Sequence, residues 1–135
     1  KPEGEDITQG YLLSEPSLTI RVRVTNINCF LTIKGTSHNA SREEYEYLIP
    51  RQDAVEILNA FTKEKIEKTR YRIEFEGKIW EIDEFFGDNE GLIIAEIELT
   101  SEDELFKIPT WIGEEVTTDE RYMNSFLAAH PFKNW

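Results

Sequence analysis

Leu92-Ile93-Ile94-Ala95-Glu96-Ile97-Glu98-Leu99-Thr100 is the stretch on which the fold class turns. Aliphatic and β-branched residues alternate with polar ones near its C-terminal end, which predicts a β-strand. Side chains two apart share a face, so Glu96 and Glu98 point one way and Ala95, Ile97 and Leu99 the other. Two carboxylates on one face repel each other. They cost little against bulk water; elsewhere they require a cation.

Working outward, the same two-residue period returns through most of the chain. Ile79 to Phe86 predicts a strand with Glu81 and Asp83 on one face and Trp80, Ile82 and Glu84 on the other. Lys65 to Glu76 puts Lys68, Arg70, Arg72 and Glu74 opposite Thr69, Tyr71, Ile73 and Phe75, with Gly77-Lys78 as a hairpin turn. Arg42 to Ile49 alternates Arg42, Glu44 and Glu46 with Tyr45 and Tyr47. Leu18 to Val24 and Cys29 to Lys34 flank Asn26-Ile27-Asn28 as a second hairpin, with Arg21 and Arg23 together on one face. Ile7 to Leu12 reads as a further strand, and the polar stretch Gly35 to Ser41 as a loop. After Pro50, the spacing of Ala54, Ile57, Leu58 and Phe61 predicts an amphipathic helix over 51–62. Gly87 to Gly91 is a loop signal, and Ser101-Glu102-Asp103-Glu104 has the form of a capping box opening a short helix. A last helix is predicted through Arg121, Tyr122, Phe126 and Leu127, capped by Thr118 or Asp119.

At 135 residues the chain fits one domain, and 39% hydrophobic with 12% aromatic residues makes it globular. A net charge of −12 argues against non-specific binding to nucleic acid or an anionic membrane. Cys29 is the single cysteine, so neither an internal disulfide nor a thiolate zinc site is available. No apolar run reaches a membrane span and no signal peptide is visible, so the expected location is cytoplasmic.

The strands carry their charge in same-sign groups: Arg21 with Arg23, Lys68 with Arg70 and Arg72, Glu44 with Glu46, Glu81 with Asp83, Glu96 with Glu98. One reading is the solvated outer face of an antiparallel sheet. The other is a ligand face. Arginine suits bidentate phosphate contacts, and paired carboxylates are the hard oxygen donors that Mg²⁺ or Mn²⁺ prefers. If the strands curl into a barrel with these faces inward, a wet channel binding an anion avoids the several kcal/mol that each buried, unpartnered ion costs. Such a wall suits phosphoryl transfer.

Gln9-Gly10-Tyr11-Leu12, Arg21-Val22-Arg23, Leu31-Thr32-Ile33-Lys34-Gly35, Glu44-Tyr45-Glu46, Lys68-Thr69-Arg70-Tyr71, Trp80 to Phe85, Ala95 to Leu99, Glu115-Val116-Thr117 and Arg121-Tyr122-Met123-Asn124 occur in this order. The ordered set resembles the CYTH family, the triphosphate tunnel metalloenzymes, in its small bacterial form. The resemblance implies an α+β fold: an eight-stranded antiparallel β-barrel or tunnel with helices outside. It implies a divalent-metal-dependent triphosphatase acting on a linear triphosphate, most simply inorganic tripolyphosphate. A class IV-type adenylate cyclase and a non-catalytic polyphosphate- or nucleotide-binding module are the alternatives.

It further implies that Arg21, Arg23, Lys34, Lys68, Arg70 and Arg72 hold the triphosphate. Glu96 and Glu98 would bind Mg²⁺ or Mn²⁺, with Asp83 in the metal set, and Glu44 and Glu46 would either orient the attacking water or help a second metal. Arg121 would contact substrate from the last helix, at one end of the tunnel. The partner is then a small molecule carrying a triphosphate, with neither nucleic acid nor membrane, and a homodimer is left open. The family's opening strand carries Glu-x-Glu-x-Lys, and no such motif precedes Lys1. The expectation is therefore a single CYTH-like domain over 1–135 that lacks its first N-terminal strand.

Overall fold

The structure is a computed structural model that describes residues 4–38, 41–97, 99, 105–117 and 119–135. Its strands are β1 (Glu5–Glu15), β2 (Leu18–Thr25), β3 (Cys29–His38), β4 (Ser41–Leu48), β5 (Lys65–Phe75), β6 (Lys78–Phe85) and β7 (Ile93–Ile97), with helices α1 (Arg51–Phe61) and α2 (Asn124–Ala129). All strand pairs are antiparallel, in the order β4-β3-β2-β1-β5-β6-β7. Among the described residues this corrects the eight-stranded barrel: the sheet has seven strands and is open, because β4 and β7 do not pair.

Residues directly opposite in an antiparallel ladder share a face. The register therefore collects Gln9, Arg23 and Phe30 on one side, with Tyr11, Arg21, Thr32 and Glu46 beside them. On that side also lie Lys68 opposite Phe85, Arg70 opposite Asp83, Arg72 opposite Glu81, and Glu81 opposite Glu96. The other side carries the aliphatic residues. There α1 packs Ala54 and Leu58 on Val22 and Cys29, flanked by Val24, Leu31 and Ile57. Each such aliphatic side chain contributes about 1.5–3 kcal/mol when fully buried. Gly10 sets how closely the helix end approaches: a Cβ there would lie 2.7 Å from Thr62 Oγ1 and 2.9 Å from Leu58 Cδ2. Farther along this face Trp80 is covered edge-on by Phe106 and Trp111.

The second core forms on the charged side. Leu127 of α2 packs with Ile66, Phe85 and Leu92. The charged face is thus closed over at one end by the C-terminal helix. Trp135 fixes that segment through ring contacts with Tyr122 and Phe132, and Asn89, buried in the loop before β7, accepts a hydrogen bond from the Phe132 amide at 2.8 Å.

Several element boundaries differ from expectation. β1 starts earlier and ends later than Ile7 to Leu12, and most of the stretch read as a loop after Gly35 is strand, because β3 and β4 keep pairing to His38 opposite Ser41. The β5–β6 hairpin turns at Glu76-Gly77, both at positive φ (52° and 77°), instead of Gly77-Lys78. That geometry matches the right-handed twist of the strands it joins. β7 ends at Ile97, and Glu98 and Thr100 lie outside the described residues, as does the capping box at 101–104. The last helix is divided: Glu120–Tyr122 forms a separate 3₁₀ turn before α2. Among the described residues no helix is long and apolar enough to cross a membrane.

Candidate active site

Central strand β1 divides the charged face in two. On the β2–β4 side the cations meet neutral groups. Arg23 donates through Nε to Gln9 Oε1 at 2.9 Å, and Gln9 Nε2 donates to the Tyr11 hydroxyl at 3.3 Å. Arg21 donates through Nη2 to Thr32 Oγ1 at 3.5 Å, and that hydroxyl reaches Glu46 Oε2 at 3.4 Å. The Arg21 Nε–H is buried with no acceptor, which for a cationic donor costs on the order of 1–3 kcal/mol or more. Neither arginine has a carboxylate within ion-pair distance among the described residues. Burial, then repulsion from Arg21 and Arg70, pushes the Arg23 guanidinium down to about 10. Burial likewise raises the Tyr11 phenol, against the opposing pull of Arg21. This is a region of uncompensated positive charge, the field an oxyanion seeks. Among the described residues on this side, Lys34 alone has an acidic partner, Glu44 at 3.5 Å, and both side chains are partly exposed.

On the β5–β7 side each cation has a carboxylate. Asp83 takes two bonds from Arg70, Nε to Oδ1 at 2.8 Å and Nη2 to Oδ2 at 2.9 Å, and a third from Lys68 Nζ at 2.8 Å. The Lys68 side chain is fully buried, also facing Asn124 Oδ1 at 3.4 Å and the Phe85 ring at 5.4 Å. Burial pushes its ammonium down to about 8, and Asp83 resists that shift. Burial would raise the Asp83 carboxyl, but its bonds to Arg70 and the Lys68 charge outweigh it and hold it below its ordinary value. The bond to Asp83 raises Arg70 beyond its already high value. Arg72 donates to Glu81 at 3.1 Å and approaches Glu5 at 3.6 Å, and Glu81 is also 3.6 Å from Arg70 Nη1.

Glu96 on edge strand β7 lies exposed and directly opposite Glu81. Like charges opposed across a ladder destabilise it, and among the described residues Glu96 makes neither a hydrogen bond nor an ion pair. No cluster of three or more His, Cys, Asp or Glu suited to a metal occurs among the described residues. Mg²⁺ or Mn²⁺ can be held by one or two carboxylates, with water and phosphate oxygens completing the shell. Glu96 and Glu81 are the carboxylates that this face sets opposite each other, with Glu81 within reach of Arg72 and Arg70.

Of the residues expected at the site, Arg21, Arg23, Lys34, Glu44, Glu46, Lys68, Arg70, Arg72, Asp83 and Glu96 all lie on this one face. Glu98 lies outside the described residues. Asp83 receives Arg70 and Lys68 on its two oxygens. Arg121 belongs to the turn before α2, and its partners Asp119, Trp135 and Tyr122 all lie in the C-terminal segment. Gln9, Thr32, Glu81 and Asn124 were missing from the expected set. Both Gln9 and Thr32 are buried on the charged face, and Thr32 carries a legible signal because it shares the two-residue period of Lys34.

The chain is similar to known proteins. The chain matches the CYTH domain over residues 2–126. It is 55% identical over 128 residues to a protein of Acetivibrio thermocellus named inorganic triphosphatase, covering 94% of this chain and 82% of that one. It is 37% identical over 135 residues to an inorganic triphosphatase of Nitrosomonas europaea, covering 94% and 89%. The crystal structure of the inorganic triphosphatase NE1496 superposes with a TM-score of 0.74 at 35% identity, covering 93% of this chain and 86% of its own.

Proposed function

The chain belongs to the CYTH family, and from that premise we propose that it is a divalent-metal-dependent inorganic triphosphatase that hydrolyses tripolyphosphate on the charged face of its sheet. The observation that carries this reading is the pairing of uncompensated Arg21 and Arg23 with the opposed carboxylates Glu81 and Glu96 on one face. A linear anion with many phosphoryl oxygens satisfies the arginines, and a divalent cation relieves the carboxylates.

In this assignment Arg21, Arg23 and Lys34 bind phosphoryl oxygens from one wall, and Arg70 and Arg72 from the other. Lys68, with no exposed side-chain surface, orders Asp83 and through it Arg70. Glu96, Glu81 and Glu98 would hold Mg²⁺ or Mn²⁺, which neutralises charge on the transferred phosphoryl group when bound. Glu46 and Glu44 are the exposed carboxylates of the β4 wall. We assign one of them to accept a proton from water as its oxygen attacks the terminal phosphorus. The bond from that phosphorus to its bridging oxygen breaks, and diphosphate leaves with the bonding pair. The arginines hold the phosphates in line for this attack.

Glu96→Gln in the full-length protein keeps the shape of the side chain and removes its charge. Metal-dependent phosphate release from tripolyphosphate should fall about 10²–10³-fold, the effect of losing several kcal/mol of charge stabilisation. Parallel assays with pyrophosphate and ATP, including a search for cyclic AMP, test the substrate assignment. Unchanged turnover in Glu96→Gln would refute the metal assignment, and cyclic AMP as main product would replace hydrolysis by cyclisation.

A further inference from the structure

Gln9 is completely buried, an uncommon environment for a carboxamide, and its place is fixed from three directions. In register it faces Arg23 on β2 and Ile66 on β5. The next residue is Gly10, where the near contact with Thr62 and Leu58 anchors β1 against α1. Both ends of the carboxamide are engaged, the oxygen by Arg23 Nε and the nitrogen by the Tyr11 hydroxyl. Neither terminal Nη group of Arg23 is bonded to a described residue.

We propose that Gln9 is a positioning residue for the anion site: it holds the Arg23 guanidinium by its Nε edge and, being neutral, leaves that charge and both Nη donors to a phosphate oxygen. This rests on the triphosphatase reading above and adds to it how one binding arginine is oriented.

The same face supplies the contrasting case. Arg70 presents Nε and Nη2 to a carboxylate, so its fork is largely consumed by Asp83. A glutamate at position 9 would be nearly isosteric with glutamine but an acceptor only, and would give Arg23 the same kind of ion pair. An incoming phosphate would then have to displace an internal anion. With glutamine it displaces only water. The lowered Arg23 value accords with a guanidinium that burial and the charges of Arg21 and Arg70 destabilise more than Tyr11 and Glu46 compensate. A purely structural glutamine would need only to satisfy its own hydrogen bonds, and the sign of the nearest partner would be irrelevant to ligand binding.

The test uses the full-length protein, comparing wild type with Gln9→Glu and Gln9→Met, each also in an Arg23→Met background. KM and kcat for tripolyphosphate with Mg²⁺ and the thermal midpoint are read for all. Gln9→Glu should raise KM by about tenfold or more, the scale set by competition with a charge-assisted pair, while its midpoint stays at or above that of wild type. Gln9→Met removes the acceptor without adding charge, so it keeps the test open if Gln9→Glu does not fold. Its KM increase should vanish in the Arg23→Met background, because an effect acting only through Arg23 cannot add to the loss of Arg23. The inference is overturned if Gln9→Glu leaves KM within about twofold of wild type, or if the Gln9→Met and Arg23→Met effects simply add. A wild-type protein that neither binds nor hydrolyses tripolyphosphate would overturn the triphosphatase reading and this inference together. Wild-type turnover with an unaltered Gln9→Glu would remove this inference alone.

Discussion

The two halves of the charged face hold their cations by opposite means. West of β1, toward β2 and β3, Arg21 and Arg23 are oriented by Thr32 and Gln9 and keep their charge. East of it, Lys68 and Arg70 converge on Asp83, and Arg72 on Glu81. The difference separates two uses of a basic residue. A cation tied to a buried carboxylate is also a structural strut, and part of its field is cancelled at short range. A cation tied to a neutral group costs more to bury and stores that cost until an anion arrives.

The largest expected effect breaks the strut. Asp83→Asn leaves Lys68 and Arg70 without their carboxylate, and losing one member of a buried ionic cluster costs about 3–5 kcal/mol. Urea unfolding at neutral pH measures it, and a loss under about 1 kcal/mol would dissolve the distinction between the halves. The effect has a pH signature. The folded-state value of Asp83 lies below its ordinary 3.8, so its stabilisation is full above that value and is lost as pH falls through the folded value. The stability gap between wild type and Asp83→Asn should therefore narrow on acidification below about pH 4.

Next in size is Arg23→Met, which sharpens the comparison from the other side. Losing its charge-assisted bonds to phosphate, at about 1.5 kcal/mol or more each, should weaken tripolyphosphate binding about 10²-fold. Stability should fall by no more than about 1–3 kcal/mol, since the buried Gln9 oxygen loses its donor but no ion pair is broken and repulsion from Arg21 and Arg70 is relieved. Calorimetric titration together with urea unfolding reads both. A large fall in stability would make Arg23 a strut as well.

Arg72→Met should have the smallest structural effect. Its side chain is 54% exposed, so its bridges to Glu81 and Glu5 contribute about 0.2–1 kcal/mol and weaken in salt. If unfolding shows more, the exposed end of the eastern half is as ordered as its buried end.

Most of the charged face was legible because a strand has a period of two. Once Arg21 and Arg23, or Lys68, Arg70 and Arg72, are placed in strands, each group must share a side. The helix over α1 was equally clear from Ala54, Ile57, Leu58 and Phe61. Partners were not legible, because local alternation says nothing about which strands are neighbours. Asp83 and Glu81 look alike in the sequence, yet one is clamped by Lys68 and Arg70 and the other also faces Glu96. Arg121 was misplaced for a similar reason: its apolar neighbours suggested one helix, while Asp119 and Trp135 hold it in a separate turn.

Local alternation set the strands, the helix after Pro50 and the sign of charge on each strand face, because those depend on residues close in the chain and on the fixed geometry of a strand. The antiparallel α+β class came from the resemblance of the ordered motifs to the family. Tertiary structure alone decided that the described sheet is open with seven strands, and that β1 separates neutral-held from carboxylate-held cations. It also decided that Glu81 stands against Glu96. Strand order and register bring together residues far apart in the chain, and the energy of a charge is set by what those distant strands place beside it.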